Sequence, residues 1–356
     1  MVQIHPETEK GRKMRGRICI SGVFAVAVRL MAVTAVLVLS SCHRRPLVDP
    51  ENNIRVRVKI NVDDIKNVTC DIYNPQIPVP DTDPEMMHFL LYDDENSRIV
   101  TETYMTDKSV AEDGRTLFRS ILQVAPGRYW LLAYNFGTEA AMVDQWHSPA
   151  TAIAHSTAVP ERLSKMYVSK VGETGPVIYD PEHILVSSEP VEIPYHEDVY
   201  TVETEAVSVV ESWYVQIRVD GLQWVSSAQA FLSGMASANY IAENRRVESP
   251  QVAVYFPMVK STDKGETVIC AVFNTFGHIE DARSDLNVTF SLMTVDGKTQ
   301  MHQFDISHLF ETENAIKHHW LLLDEVIKID EPSDVKGGGF DPTVGDWEEE
   351  HREIVI

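Results

Sequence analysis

The 356-residue chain is strongly acidic: 53 Asp and Glu stand against 31 Lys and Arg, which gives a formal net charge of −22 at pH 7. Such a surface repels nucleic-acid phosphates and anionic lipid head groups, so nucleic-acid binding and electrostatic attachment to a membrane are disfavoured. The length suits two domains of ordinary size, and the four cysteines are too few for a disulfide scaffold.

The N-terminus has the pattern of a bacterial lipoprotein signal. A basic segment, residues 10–17, precedes an apolar stretch over residues 18–39. The stretch ends in Leu39-Ser40-Ser41-Cys42, a lipobox that predicts lipid attachment to Cys42 and cleavage between Ser41 and Cys42. Either Met1 or Met14 suits the role of initiator, because residues 14–41 already form a complete signal.

The alternative interpretation of this stretch is an uncleaved transmembrane anchor. Residues 18–39 have about the length that a helix needs to cross a bilayer. Arg29 in the middle of the stretch argues against a spanning helix, because a charged side chain is costly at the bilayer centre. We therefore expect an outer-membrane lipoprotein, on the periplasmic or the cell-surface face, held by its lipid alone.

Cysteine usage in the mature chain is limited to two free candidates. Cys19 leaves with the signal and Cys42 is used for lipid, so Cys70 and Cys270 remain. A disulfide between them is possible in an exported protein. The alternative is that each is a small buried apolar residue, since 200 positions separate them and we expect them in different domains.

The first half of the mature chain is predicted to be antiparallel β structure. Residues 54–62 read I-R-V-R-V-K-I-N-V, a strict alternation that is typical of a half-buried strand. Further strands are predicted over residues 87–92, 99–105, 116–124 and 128–135, with a tight turn at Pro126-Gly127. Residues 138–154 are predicted to be an irregular or partly helical insertion, and a proline-punctuated stretch then leads to a domain boundary at 198/199.

The second half repeats the β pattern. Strands are predicted over residues 199–219, 228–232, 252–256, 267–274 and 286–294, then 298–306 after a hairpin turn at Asp296-Gly297, and finally 320–329. No segment has the length and periodicity of a core-facing amphipathic helix. The predicted fold is all-β, with two tandem antiparallel β-sandwich domains at 54–198 and 199–330. They follow a signal peptide (1–41) and a lipidated linker (42–53) and precede an acidic, glycine-containing tail (331–356).

The chain carries no recognisable catalytic signature. It lacks a G-x-S-x-G elbow, an H-E-x-x-H motif, a phosphate-binding glycine loop and paired C-x-x-C motifs. Adjacent residues in a strand point to opposite faces, so His318 and His319 are not expected to share a metal ion. We therefore predict no enzyme activity, no cofactor and no metal site. Trp146, beside His147 in the insertion, is the candidate contact for a glycan.

Several short motifs together carry a family resemblance. They are Cys42-His43-Arg44-Arg45-Pro46-Leu47, the Pro126-Gly127-Arg128-Tyr129 hairpin that leads to Tyr134-Asn135, Leu232-Ser233-Gly234-Met235-Ala236, Asn274-Thr275-Phe276-Gly277-His278, and Gly338-Gly339-Phe340 with Trp347. With these motifs the mature chain resembles the fimbrillin-like lipoproteins of Bacteroidetes, in the group of FimB and Mfa-type fimbrium anchors.

The resemblance implies two transthyretin-like β-sandwich domains and a role as a fimbrium anchor, assembly or adhesin-like subunit. It also implies strand exchange with partner fimbrial subunits, in which a strand from one subunit pairs with the open sheet of another. The alternative function is a glycan-binding surface lipoprotein.

Overall fold

The computed structural model describes residues 54–62, 69–77, 84–95, 97–112, 114–135, 140–171, 175–279 and 286–332. The predicted signal peptide, Cys42 and most of the predicted tail lie outside the described residues. Within them, strands dominate and only two short α-helices occur. The predicted all-β fold of two sandwiches is confirmed.

The strands in chain order are β1 Ile54–Val62, β2 Met87–Asp93, β3 Ile99–Met105, β4 Asp107–Val110, β5 Thr116–Val124, β6 Gly127–Asn135, β7 Ala141–Asp144, β8 Ile153–Ser156, β9 Val177–Tyr179 and β10 Leu185–Ile193. They continue as β11 Tyr200–Ser208, β12 Glu211–Asp220, β13 Val225–Ala236, β14 Ala238–Tyr240, β15 Arg245–Arg246, β16 Gln251–Asp263, β17 Glu266–Thr275, β18 Asn287–Thr294, β19 Thr299–Asp305 and β20 Trp320–Lys328. The α-helices are α1 Glu161–Val171 and α2 Glu313–His318, and short 3-10 helices occupy Pro149–Thr151, Leu222–Trp224 and Ser307–Glu311.

The first sandwich is one continuous array of eight strands in the order β3-β2-β6-β10-β11-β1-β5-β4. Only two residue pairs join β10 to β11, so the array folds at this corner into two four-stranded layers. The alternation predicted for β1 is confirmed, because Val56, Val58 and Ile60 are buried between the layers with Phe89 and Leu131. Burial of such side chains contributes about 1.5 to 3 kcal/mol each.

The first sandwich extends past the predicted boundary at 198/199. Strand β11 pairs with β1 in parallel, with Val56 opposite Tyr200. The large sheets therefore divide between Ser208 and Glu211, where β11 ends and β12 begins. Parallel pairing also joins β12 to β20 and β9 to β16, so three pairs depart from the predicted antiparallel pattern.

The second sandwich has the strand order β19-β18-β13-β16-β17-β12-β20. The long strand β16 serves both layers, because its first part pairs with β13 and residues 259–263 pair with β17. Phe256 and Phe273 stack between the layers with ring centroids 4.0 Å apart. Their contact fixes the two halves of the array face to face around one apolar core.

A third, four-stranded sheet combines segments from both halves of the chain, in the order β15-β14-β8-β7. Its strands β7 and β8 include parts of residues 138–154, the insertion that is predicted to be irregular or partly helical. That prediction is wrong for β7 and β8, and only Pro149–Thr151 between them is helical. Strand β8 is ordered by pairing with β14, with Ala154 opposite Asn239.

Helix α1 corrects the prediction that the chain has no core-facing helix. Leu163, Met166 and Tyr167 lie three and four positions apart, so they form one apolar stripe. The stripe packs on a small cluster of the second sandwich, where the Tyr167 ring stacks on Phe231 at 4.7 Å. The helix was missed because a stripe of three apolar residues gives too weak a periodicity.

Candidate functional site

The four end strands of the large sheets are candidate surfaces for pairing with another chain. The first sandwich ends at β3 and β4, and the second ends at β19 and β20. Each pairs with a single neighbour among the described strands. An edge strand presents unpaired N–H and C=O groups on one side, which a further strand can satisfy.

Three of these edges carry charges that oppose further pairing. Charged residues are Glu102 on β3, Asp107 and Lys108 on β4, and Asp324 and Glu325 on β20. Charged side chains on an edge are a common protection against unwanted strand pairing.

Strand β19 differs in where its charge lies. Its one acidic residue, Asp305, stands at its end, and the residues between Thr299 and Asp305 read Q-M-H-Q-F, without a charge and without proline. It pairs along its whole length with β18, from Thr299 opposite Met293 to Asp305 opposite Asn287. Met301 and Phe304 pack against apolar clusters of the second sandwich, so their side chains anchor the strand to it.

A short segment from the first half of the chain, residues 69–77, crosses to the second sandwich; we call it the strap. The Asp71 N–H donates to the His318 carbonyl at 3.1 Å. The Tyr73 hydroxyl donates to the Asp263 carboxylate at 2.8 Å. The predicted domain 54–198 is thus interrupted by a segment that packs on the other sandwich. The domain limits themselves stay predictions.

The strap brings the two candidate disulfide residues into one cluster. Cys70 and Cys270 are both buried beside Tyr214, so the expectation that they lie in different domains is wrong. Both are free thiols in the structure. Burial raises the pKa of Cys70 to about 11 and also raises the pKa of Cys270. Each thiol is therefore protonated at neutral pH and is a poor nucleophile. The disulfide between them stays a prediction.

The predicted glycan contact, Trp146, is only partly exposed and packs against the cluster between the first sandwich and the third sheet. Its ring lies edge-on to His88, with centroids 5.3 Å apart, and stacks on His147 at 4.3 Å. The His88 ring also stacks on the Tyr104 ring, with centroids 4.6 Å apart, and Tyr104 is 50% exposed. The role of Trp146 in glycan binding stays a prediction.

The two adjacent histidines are separated in the structure. The His318 Nδ1 lies 2.6 Å from a carboxylate oxygen of Asp71 in the strap, within hydrogen-bond distance, whereas the His319 ring stacks on Trp213 with centroids 4.6 Å apart. In the part of the chain that the structure describes, no group of three or more His, Cys, Asp or Glu residues is arranged to hold a metal ion.

A buried polar network joins the two sandwiches, and no motif in the sequence indicates it. The imidazole of His183 lies between two serine hydroxyls, with Nδ1 2.6 Å from Ser208 and Nε2 2.8 Å from Ser212. Ser212 in turn donates to Asn274 at 2.6 Å. A neutral imidazole fits here when Nε2 donates to Ser212 and Nδ1 accepts from Ser208, whose hydroxyl can otherwise donate to the Val210 carbonyl at 2.9 Å.

Burial of His183 predicts a dependence of stability on pH. Burial lowers its pKa to about 4 from the usual 6.5, so the unfolded chain binds more protons between these values. Stability from His183 is fully present above pH 6.5 and is lost as the pH falls through 4. Nearby Asp180 acts in the opposite sense: burial raises its pKa to about 7, so its contribution is lost as the pH rises from about 4 to 7.

We expect the stability difference between the wild type and His183→Asn to shrink by about 2 kcal/mol between pH 7 and pH 4.5. Urea unfolding of both proteins at the two pH values measures it. Taking the difference removes the opposing contribution of Asp180, which both proteins share. An unchanged difference would mean that His183 is not held neutral.

Two cavities in the described part of the structure are lined mainly by polar side chains. One has a volume of about 580 Å³ and lies where β11 ends and β12 begins, against β14 and β15. Another, of about 420 Å³, is lined by residues of β1, β10 and β11, among them Asn61, Glu189 and Glu203. Neither contains a motif that sequence reasoning can find, because the lining residues come from distant parts of the chain.

Within the described residues, no helix combines the length and the apolar composition that crossing a bilayer requires.

The sequence was compared with protein-family models, curated proteins and solved structures. A family model described as "Domain of unknown function (DUF5119)" matches residues 41–257. A curated relative from Bacteroides ovatus, named "Putative fimbrium anchoring subunit Fim4B", is 20% identical over 302 residues, which cover 84% of this chain and 79% of the relative.

The comparison with solved structures found matches from Bacteroides and Porphyromonas. A crystal structure described as a "putative adhesin" from Bacteroides ovatus has a TM-score of 0.57 at 20% identity and covers 82% of this chain and 97% of that chain. The fimbrial anchor protein Mfa2 from Porphyromonas gingivalis has a TM-score of 0.44 at 12% identity, with coverage of 76% and 88%.

Proposed function

The chain belongs to the DUF5119 family, and on that premise we propose that it is a non-enzymatic, lipid-anchored envelope protein that anchors or assembles fimbriae. Its resemblance to the fimbrillin-like proteins of Bacteroidetes is confirmed. The relative named as a fimbrium anchoring subunit supports the proposal, because it aligns with most of both chains. A surface or envelope location follows from the same role.

The observation that carries the proposal is the position of β19 at the end of its sheet, where it pairs with β18 alone among the described strands. A partner strand could add to this edge through backbone hydrogen bonds. The uncharged centre of β19 imposes no charge burial on the incoming strand. We therefore place the contact with a partner fimbrial subunit on the second sandwich, at the β19 edge.

The lipid on Cys42 would attach the protein, and through it the fibre, to the membrane. Twelve positions separate Cys42 from the start of β1 at Ile54, so the linker reaches at most about 40 Å from the membrane. The tether thus enters the first sandwich, whereas the proposed partner edge lies on the second. Force along a fibre would then pass through both sandwiches to the membrane.

Gln303→Lys is expected to lower recovery of the protein with sheared surface fibres by about tenfold or more, because a charge would be buried when a strand pairs there. Gln303 is exposed on β19, so the free protein should keep its fold. The measurement is the amount of this protein that copurifies with fibres from cells that express the variant, normalised to its total amount in the envelope.

The matched control is Val110→Lys, which adds the same charge to the exposed edge strand β4 of the other sandwich. Its recovery should equal that of the wild type. Equal losses for both variants would indicate a general effect of charge and would argue against β19. Full recovery of Gln303→Lys would remove this edge from the proposal.

A further inference from the structure

One outer surface of the first sandwich carries cations on an otherwise acidic chain. Arg55 and Arg57 are exposed on β1, because the alternate residues of this strand are buried between the layers. On the neighbouring strand β5, the exposed residues Gln123 and Ile121 stand opposite them in the register. Thr201 of β11 is exposed opposite Arg57 on the other side of β1. We call the outer surface formed by these five residues the basic face.

The two arginines of the basic face have no charge partner among the described residues. Neither Arg55 nor Arg57 forms an ion pair or a side-chain hydrogen bond in that part of the chain. Glu197 and Asp198, in the connection that leads into β11, are paired with neither arginine. The acidic residues that adjacent strands place on this surface lie beside the far half of β1, and they are Asp107, Glu203 and Glu205. The basic face is therefore a local positive patch.

The basic face also presents an apolar side chain to solvent. Ile121 is 60% exposed and stands directly opposite Arg57. Surfaces that meet a bilayer combine these two features, because cations pair with anionic head groups while apolar side chains reach between them. A surface for a purely aqueous anion needs no exposed isoleucine. The chemistry of the face therefore suits a lipid surface.

The basic face lies close to the proposed lipid anchor, on which this inference rests. Thirteen positions separate Cys42 from Arg55, so a lipid on Cys42 keeps this arginine within about 45 Å of the membrane. A short tether holds a surface near its partner at an effective concentration of about a millimolar, so even a weak contact is populated. The first described strand after the linker is thus also the strand that carries the cations.

We propose that the basic face rests on the anionic phosphate head groups of the membrane that holds the tether, and that this contact orients the protein. The formal net charge of −22 opposes attachment by charge alone, so the contact forms only while a tether is present. At physiological salt the screening length is about 8 Å, so acidic residues on other surfaces act weakly on head groups that Arg55 and Arg57 touch.

The test supplies a tether that does not depend on Cys42. The chain from residue 43 onward, with a histidine tag ahead of it, is held on vesicles that contain a nickel-chelating lipid. A donor dye at Gln123→Cys reports energy transfer to an acceptor in the head groups, and brief labelling spares the buried Cys70 and Cys270. Transfer efficiency should be at least twofold higher on vesicles with phosphatidylglycerol than on phosphatidylcholine alone. In 1 M salt, where the screening length is about 3 Å, the difference should vanish.

Arg55→Glu combined with Arg57→Glu should lower the docking equilibrium on anionic vesicles at least about twentyfold, since each arginine near an anionic surface contributes about fivefold. Arg55→Gln with Arg57→Gln should act in the same direction without adding acids, and it keeps the test valid if the charge reversal disturbs the fold. The matched control is Arg162→Glu with Lys165→Glu, which makes the same change in net charge on the exposed side of α1. This control should keep the transfer efficiency of the unsubstituted chain.

Three results would overturn the proposal: equal transfer on both kinds of vesicle, unchanged transfer in both arginine variants, or an equal loss in the α1 control. Equal transfer on both vesicles, with retention of the chain but not of the arginine variants on immobilised polyglutamate, would assign the face to an acidic protein instead. Because the nickel lipid replaces the acyl chains, none of these results depends on lipidation of Cys42. That lipidation and the β19 contact have their own measurements, so each proposal fails separately.

Discussion

Cys42→Ala is expected to abolish lipid labelling of the protein and to move it from the membrane fraction to the soluble envelope fraction. The Cys42 thiol is the only atom that the lipobox offers for diacylglycerol attachment. Each acyl chain contributes about 0.8 kcal/mol per buried methylene, and two or three chains together give lasting attachment. The acidic net charge of the chain supplies no substitute, since it is repelled by anionic lipids. Incorporation of an alkyne fatty acid, followed by fractionation, measures both effects.

The control for this experiment is Cys70→Ala, which removes the buried thiol of the strap and leaves the lipobox intact. This variant should incorporate label and remain in the membrane fraction like the wild type. The Cys42 variant should also keep its signal peptide, because cleavage follows lipid attachment. Undiminished labelling of the Cys42 variant, or a mature protein that begins at another residue, would contradict the lipoprotein assignment.

Local patterns were sufficient to predict most strands of the sandwiches. The alternation of β1 is visible because one face is buried and the other is solvated. The Asp296-Gly297 turn predicts a hairpin, and the structure has Gly297 with φ of +80° between β18 and β19. In both places the residues that determine the structure are neighbours in the chain.

The arrangement of the strands was less predictable because it depends on distant pairs. Strand β11 follows a proline-rich stretch and looks like the start of a new domain, yet its partner is β1, more than 140 positions earlier. The strap belongs to the first half by sequence, but Tyr73 finds its hydrogen-bond partner at Asp263. No local preference encodes such contacts.

The candidate sites also differ in whether neighbouring or distant residues form them. Cys42 is recognisable because the predicted lipobox is a linear motif, whereas the cavity at the junction of β11 and β12 is assembled from Glu211, Asn239 and Arg246 on three different strands. Each of these residues alone is ordinary. Only the fold reveals that Asn239 is buried with an unmet acceptor beside two ion pairs.

Gly221→Ala is expected to destabilise the second sandwich by at least about 3 kcal/mol, well above an ordinary substitution. Gly221 follows β12 with φ of +84°, and a Cβ built on it would lie 2.0 Å from the backbone oxygen of Ile329. The Ile329 N–H donates to the Asp220 carbonyl at 2.8 Å, so the two segments are held together and cannot separate to admit a methyl group. The added methyl group must therefore break the hydrogen bond between Ile329 and Asp220. This loss of stability adds to the cost of placing a side chain in the left-handed conformation.

Gly265→Ala and Gly297→Ala isolate the steric part of this effect. These glycines have φ of +87° and +80°, close to that of Gly221, but no atom lies within 4 Å of a Cβ built on either. Each control substitution should lower the free energy of unfolding by about 1 kcal/mol, the penalty for a side chain in the left-handed region. Urea unfolding of the three variants and the wild type at one pH measures the differences. Equal costs for all three would mean that the chain at Ile329 yields to the added methyl group, and that the close approach at the end of β12 does not constrain the fold.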